Sequence, residues 1–327
     1  MRIDAHLHLN QINHQTIRHA IDNGFQLISI NTAVPFFPAI ETQEAIILKL
    51  KKEYSNTVFH LATFPTTNFW NRNWEQKTIE YLKQRLENGA IGVKIWKNIG
   101  MELKDENDQY ILQNHPKFDS VYAFLSDNQI PLLAHTGEPL NCWLPLEEMT
   151  VKQDRDYFAA HPEYHAARLP EIPHDWEPIK ARDNILEKHP NLRFVGAHIG
   201  SLEWDTDEIA ERLDKFPNLA VDLADRVCHL QHQAVTDWQK VRDFVIKYQD
   251  RILYGTDFID DNSKTQLEKD KWLLNDKWKM HHLFFTTSKK MTAPKVTGSF
   301  NGLNLSEAIL NKIYRENALN WYQLMAS

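Results

Sequence analysis

Short runs of apolar residues recur along the chain, and longer amphipathic stretches separate them. Nearly every position in these runs is apolar, and β-branched residues and leucine are common in them. Uniformly apolar runs of this kind are typical of parallel strands that are buried on both faces. The pattern predicts eight strands, at residues 2–7, 27–31, 58–63, 91–95, 131–134, 194–197, 220–223 and 252–254.

The stretches between the strands have the three-and-four spacing of amphipathic helices. The clearest examples are residues 75–88, 175–189 and 205–216. In the first of these, Ile79 and Leu82 are three positions apart, and a glycine follows the stretch as a stop signal. Because strands and helices alternate eight times, the sequence predicts an α/β fold of the (β/α)8 barrel type rather than an open sheet.

We expect a single domain over residues 1–327, because α/β barrels of this length routinely form one domain. The fifth and sixth strands begin 63 residues apart, which is about twice the neighbouring steps. The surplus, residues 140–174, leaves the C-terminal end of a strand and is predicted to be a lid. A surface loop without a function is the alternative. Residues 260–327 are predicted to form a C-terminal helical extension of the same domain.

The composition narrows the classes of function. Hydrophobic residues make up 42% and charged residues 25% of the chain, which is the globular average. The net charge of −7 disfavours nucleic acid and anionic membranes as partners, and no apolar run is long enough for a transmembrane helix. Two cysteines, expected to be ordinary thiols, and the absence of a signal peptide indicate a cytoplasmic protein. The chain has sixteen histidines but only two cysteines, so a metal site here would use imidazole and carboxylate ligands.

A pair of histidines lies on the first predicted strand. Strand alternation sends His6 and His8 to one side and Ile3, Ala5 and Leu7 to the other. Two imidazoles on one face can chelate a divalent cation at about 2.0–2.1 Å. Taken alone, such a pair is also compatible with a solvated strand edge.

Three more polar residues end other predicted strands. His135, His198 and Asp257 follow strands five, six and eight, where barrel enzymes place their catalytic residues. Each of them alone is compatible with a hydrogen-bonded core residue. Buried together with the first-strand pair, they need partners, which a metal ion supplies. The sequence therefore predicts a metal site at the C-terminal ends of the strands.

The motifs at these strand ends resemble those of the amidohydrolase superfamily. The similarity is to its branch of metal-dependent TIM-barrel hydrolases and decarboxylases (amidohydrolase family 2) related to aminocarboxymuconate-semialdehyde decarboxylase. It covers the chain almost end to end and implies a distorted TIM barrel with one or two divalent ions, zinc being the expected metal. The matching motifs are DAHLH (4–8), GVKIW (92–96), AHTGEP (134–139), AHIGSLEWD (197–205), GTDF (255–258) and IYRENALNWY (313–322).

The resemblance also implies roles for the residues in these motifs. His6, His8, His135 and Asp257 would be metal ligands, and Asp257 would also be a catalytic base. His198 would either bind a second metal or act as a catalytic acid/base that polarises a carbonyl. The resemblance leaves Lys94 as either a carboxylated lysine that bridges two metals or a plain cation that binds a substrate carboxylate. We favour the plain lysine.

Other residues near the strand ends and in the insertion are candidates for substrate binding. Lys94 and Arg226 suit a substrate carboxylate, and Trp96 and Trp143 suit an apolar wall. The alternative for Arg226 is a structural ion pair with Glu203. Two further charged residues lie in the same segments, Lys97 and Glu138. Histidines outside the strand ends are expected at the surface, namely His161, His165, His281 and His282.

The function predicted first is a metal-dependent hydrolase. It would act on an amide, lactone or ester of a small carboxylated metabolite through a metal-bound hydroxide, with Asp257 and His198 assisting. The alternative is a non-oxidative decarboxylase of the same family. A third hypothesis is a barrel that binds metal without catalysis. Nucleic-acid and membrane partners are not expected, and a homo-oligomer is compatible with the sequence.

Overall fold

The computed structural model describes residues 1–261 and 266–325 and contains all eight predicted strands. The eighth strand is interrupted at residues 254–257 and then resumes, so the described barrel contains nine strand segments. In chain order they are β1 Arg2–Leu9, β2 Phe25–Ile30, β3 Val58–Leu61, β4 Val93–Ile95, β5 Leu132–Ala134, β6 Phe194–Gly196, β7 Leu219–Asp222, β8 Ile252–Leu253 and β9 Phe258–Asp260.

All pairings between these strands are parallel, in two sheets ordered β3-β2-β1-β9 and β4-β5-β6-β7-β8. Backbone hydrogen bonds join the sheets at both edges. At one edge Lys94 N donates to Ala62 O at 2.7 Å, and at the other Ala5 N donates to Tyr254 O at 2.8 Å. The strands therefore follow one another around a distorted barrel, as predicted.

Helices cover the outside of the barrel, and the three clearest predictions are confirmed by helices at Trp74–Glu87, Trp176–Lys188 and Thr206–Lys215. The other helices are His14–Asp22, Ile40–Glu53, Asp119–Asp127, Lys152–Ala160, Val227–Lys247, Gln266–Thr286, Glu307–Asn311 and Asn317–Trp321. Two short helix-like turns at strand ends, Asn98–Met101 and Ala197–Gly200, contain residues with non-helical backbone angles. Within the described chain, no helix combines the length and the apolar character that a membrane span requires.

The first strand departs from simple alternation. Ile3 and Ala5 pack in a cluster with residues from six other strands, which is possible only inside the barrel, whereas Leu7 packs in the cluster outside it. The expectation that these three residues share a face is therefore wrong. The pairing of β1 with β2 shifts register between Asp4 and Leu7, and this β-bulge reorients the strand just where its histidines begin.

The insertion at residues 140–174 has a small core of its own, formed by Cys142, Met149, Phe158 and Ala166. Its helix Lys152–Ala160 lies against the barrel mouth. The C-terminal extension contains a two-stranded antiparallel ribbon of Lys290–Met291 with Phe300–Asn301 in addition to its helices. Residues 262–265 and 326–327 of this predicted extension lie outside the described residues.

Candidate metal centre

Three of the predicted ligands converge at the junction of the first and last strands. His6 and His8 extend from β1, and Asp257 lies between β8 and β9. The Oδ1 atom of Asp257 is 3.4 Å from Nε2 of His6 and 3.2 Å from Nε2 of His8. One ligand atom from each residue lies within 4.8 Å of the other two, which is a spacing that one divalent ion can bridge.

In His6 and His8, and also in the nearby His198, the second ring nitrogen, Nδ1, contacts an oxygen of the protein. Nδ1 of His6 contacts Asp222 Oδ2 at 2.7 Å, Nδ1 of His8 contacts Ile30 O at 2.7 Å, and Nδ1 of His198 contacts Ala224 O at 2.8 Å. Such contacts fix the orientation of metal-ligating histidines and leave Nε2 free to bind. This arrangement is what a metal centre of this composition requires.

His135 and His198 stand next to this group. Their ring centroids are 4.2 Å apart, and the His198 ring is 5.1 Å from that of His6. Nε2 of His135 is buried and has no hydrogen-bond partner in the part of the chain that the structure describes. Because a buried polar atom without a partner is costly, this atom indicates a missing ligand. A divalent cation would satisfy this atom, but His135 lies outside the group of ligand atoms within 4.8 Å of one another, so its sharing one ion with His6, His8 and Asp257 stays a prediction.

The protonation states also suit a metal. Burial lowers the pKa of His8, lowers that of His135 well below its usual value, and lowers that of His198 to about 3. These rings are therefore neutral near pH 7, as ligands must be. Burial would raise the pKa of Asp257, but its hydrogen bond to His8 and its electrostatic contacts with the neighbouring histidines hold that pKa well below its usual range.

Lys94 extends from β4 into the same site. Its side chain is 1% exposed, and its Nζ has no hydrogen-bond partner among residues 1–261 and 266–325. Burial lowers its pKa from 10.5 to about 8, while Asp222 and Asp257 oppose that change. A buried amine in this state calls for an anion, and the plain, uncarboxylated lysine stays our prediction.

His198 sits on an unusual backbone. His198, Ile199, Gly200 and Ser201 have φ values of 58°, 57°, 64° and 57°, so four successive residues are left-handed. L-residues disfavour this conformation by about 1–2 kcal/mol each. Hydrogen bonds hold the turn, since Arg182 donates to Gly200 O and Ser201 Oγ donates to Gly137 O at 2.7 Å.

Asp222 is a site residue that sequence reasoning missed. Besides contacting the His6 ring, its carboxylate accepts hydrogen bonds from the backbone N–H of His198 at 2.8 Å and of Ala224 at 3.1 Å. It therefore positions two site histidines at once. The signal was available, because Asp222 ends the apolar run of β7 just as the histidines end theirs.

A cavity of about 250 Å³ opens above the candidate metal ligands. Eight of the nine predicted site residues line it: His6, His8, Lys94, Trp96, His135, His198, Arg226 and Asp257. Aromatic side chains from the insertion, Tyr157, Phe158 and Tyr164, form part of its wall. The insertion thus covers one side of the cavity, whereas its role as a moving lid remains a prediction.

Trp143 does not line the cavity, because it packs on the small core of the insertion. Glu203 makes no ion pair with Arg226 within the described residues. Its Oε1 accepts a hydrogen bond from Leu140 N at 2.9 Å, and Asp225 Oδ2 lies 3.7 Å from Nη1 of Arg226. The alternative prediction, a structural ion pair between Arg226 and Glu203, is therefore wrong.

The surface prediction for the peripheral histidines is wrong for two of the four. His165 is 4% exposed and contacts Leu144 O at 2.8 Å through Nε2. His281 is half-buried against the Tyr254 hydroxyl at 3.0 Å. His161 and His282 are exposed as expected. Their helical or loop context gave no indication of the tertiary contacts that bury the other two.

Comparisons with known proteins agree with this fold. Residues 63–324 match the amidohydrolase family model. No curated protein sequence matches the chain. The chain is similar to a dihydroxybenzoic acid decarboxylase from Polaromonas sp. JS666, solved with manganese and the inhibitor 2-nitroresorcinol, at 13% identity and a TM-score of 0.56, covering 100% of this chain and 98% of that one.

Two further structures share the fold. A 2,6-dihydroxybenzoate decarboxylase from Rhizobium has 15% identity and a TM-score of 0.54, with 96% of this chain and 89% of that chain covered. A dihydroorotase from Campylobacter jejuni has 14% identity and a TM-score of 0.52, with 100% and 84% covered. At these identities the similarity shows a shared fold alone. Since the family model spans most of the sequence, the chain belongs to the amidohydrolase family.

Proposed function

We propose that the chain is a metal-dependent, non-oxidative decarboxylase of a small aromatic acid. The observation that carries this proposal is the buried Lys94 amine, which has no partner in the described chain and adjoins the candidate ligands under an aromatic wall. An acid group placed there would satisfy the amine, and a ring would fill the space beside Trp96 and Tyr157. The decarboxylases that share the fold support this substrate class.

One divalent ion is proposed, held by His6, His8, His135 and Asp257. When bound, it would supply a Lewis acid that coordinates the substrate. Manganese accompanies the Polaromonas decarboxylase, and zinc is our prediction from sequence. With a single ion, Lys94 serves as a plain cation that pairs with the substrate carboxylate.

The side chains of the protein would then transfer the proton that replaces the lost carboxylate. Loss of carbon dioxide breaks the bond between the ring carbon and the carboxylate carbon, leaves the electron pair on the ring, and requires a proton at that carbon. The contact of His198 Nδ1 with Ala224 O places the ring proton on Nδ1 and leaves Nε2 as a base. Asp257 is a second acceptor, so either group can relay to the ring carbon the one proton that the reaction consumes from solvent, and each returns to its starting state once that proton is delivered.

A panel of substrates tests this proposal. Metal-loaded protein is supplied with hydroxybenzoic acids, lactones and cyclic amides, and both carbon dioxide release and ring opening are measured. We expect carbon dioxide from at least one aromatic acid, and a loss of about 100-fold or more in rate for Asp257→Asn. The exposed Asp243→Asn serves as the matched control.

Ring opening without carbon dioxide release would instead establish the second candidate function, hydrolysis. That candidate is favoured by the ionised Asp257, which can take a proton from an attacking water, and by the fold shared with a dihydroorotase. Metal binding with no turnover across the panel would contradict both enzymatic functions.

A further inference from the structure

We propose that Glu138 is a specificity-determining residue that restricts this cavity to substrates with a single acidic group. This inference rests on the proposed function, because it concerns what the same cavity binds. It follows from how the positive charges of the cavity are already compensated by the protein itself.

Three cationic side chains line the cavity, namely Lys94, Lys97 and Arg226. Lys97 Nζ contacts Glu138 Oε1. Arg226 Nη1 lies 3.7 Å from Asp225 Oδ2. Lys94 is thus the only one of the three without a carboxylate within 4.0 Å in the described chain.

The Lys97–Glu138 pair stands between the metal centre and the insertion. Lys97 follows β4 directly after Trp96, and Glu138 lies three residues after His135. The side chains are 12% and 7% exposed, and Lys97 Nζ lies 5.5 Å from the ring centroid of Trp96 and 5.6 Å from that of Tyr164. The lysine thus has its ammonium group between a carboxylate and two aromatic rings and is largely shielded from solvent.

A second substrate carboxylate placed here would meet a neutralised cation. It would have to lose its hydration while facing the Glu138 carboxylate, and an uncompensated buried charge is strongly unfavourable. A neutral ring or hydroxyl group avoids this cost.

Arg226 offers no alternative anchor. Burial opposes its charge, but Asp154, Glu203 and Asp225 more than offset that effect and raise its pKa. Asp225 is the carboxylate within 4.0 Å of the guanidinium, and Asp154 and Glu203 add negative charge around it, so a substrate anion placed there would also face these carboxylates. Its Nε has no hydrogen-bond partner in the described residues and suits a neutral oxygen, such as a phenol.

Binding of two acids that differ by one carboxylate tests the inference. Benzoate and isophthalate are titrated calorimetrically into manganese-loaded protein, its Glu138→Gln variant, and a Glu147→Gln control at an exposed position of the insertion. We expect the unmodified protein and the control to favour benzoate by about tenfold or more. In Glu138→Gln, Lys97 becomes available, and we expect the preference to fall by about tenfold or to reverse.

Equal or tighter binding of isophthalate by the unmodified protein would overturn the inference, as would binding of neither acid. An unchanged preference in a folded Glu138→Gln variant would overturn it too. If that variant does not fold, Lys97→Met replaces it, and we expect this change to leave the preference for benzoate intact because no cation is released. A Lys97→Met variant that loses the preference would contradict the inference. These binding ratios are independent of carbon dioxide release, so failure of the proposed function is recognised separately.

Discussion

At the scale of single residues, Lys94 combines a destabilising position with a binding role. The drop of its pKa from 10.5 to about 8 corresponds to roughly 3 kcal/mol of unfavourable burial of the charged form. We therefore expect Lys94→Met to leave the free energy of unfolding of the metal-free protein unchanged or higher. The same change should weaken benzoate binding by about tenfold or more, because the anion loses its partner.

Urea unfolding and calorimetry measure the two effects, with Lys52→Met, at an exposed helix position, as the control. A Lys94→Met protein that is less stable and binds benzoate as before would show that the amine has a structural role instead.

Single residues were the most predictable part of the site. His135 and His198 could be identified because a polar residue at the end of an apolar run can be recognised in the sequence alone. Asp222 gives the same signal. Trp143 could not be placed, since its position depends on how the insertion folds on itself. The pairing of Lys97 with Glu138 could not be predicted either, because the two residues follow different strands and no local sequence pattern gives the distance between those strand ends.

At the scale of elements, the left-handed turn at residues 198–201 determines where His198 points. Gly200 has a φ of 64°, and a Cβ atom there would lie 3.1 Å from Arg182 Nη1. We expect Gly200→Ala to lower the free energy of unfolding by about 1–2 kcal/mol through backbone strain alone.

Gly137→Ala is the matched control, because a Cβ atom at Gly137 meets its nearest neighbour, Pro178 Cγ, at an ordinary 3.4 Å. Urea unfolding of both variants gives the comparison. Equal stability losses would mean that the turn relaxes to another conformation without cost.

Element boundaries were less predictable than element identities. The apolar runs located all eight strands. A strict alternation of faces carries no information about a β-bulge, however, so it predicts the same face for Ala5 and Leu7. The break between β8 and β9 is similar. Asp257 interrupts the strand with a φ of 54°, and only its neighbours in space stabilise that conformation.

At the scale of the whole molecule, the buried histidines make the metal-free protein sensitive to acid. The pKa of His198 falls from 6.5 in the unfolded chain to about 3 in the folded chain. Between these values the unfolded state binds the proton and the folded state does not, so stability falls as the pH falls below 6.5. We expect His198 alone to contribute up to about 1.4 kcal/mol per pH unit in this window.

Unfolding free energies at pH 7.5 and 5.5 measure this dependence, and His198→Asn should make it shallower. Gln239→Asn, at an exposed position without a titrating side chain, should leave it unchanged. A wild-type protein whose stability is the same at both pH values would contradict the burial of neutral imidazoles.

The placement of the candidate ligands also bears on how the protein is made. His6 and His8 belong to the first strand, whereas Asp257 lies at the end of the eighth, on the other side of the seam where the barrel closes. A ribosome must synthesise more than three-quarters of the 327 residues before this ligand set exists. On the proposed ligand set, metal loading would therefore have to follow synthesis of the eighth strand. An ion bound there would link the first strand to the end of the eighth, so we expect amide protons along the seam to be the first to exchange when a chelator removes it.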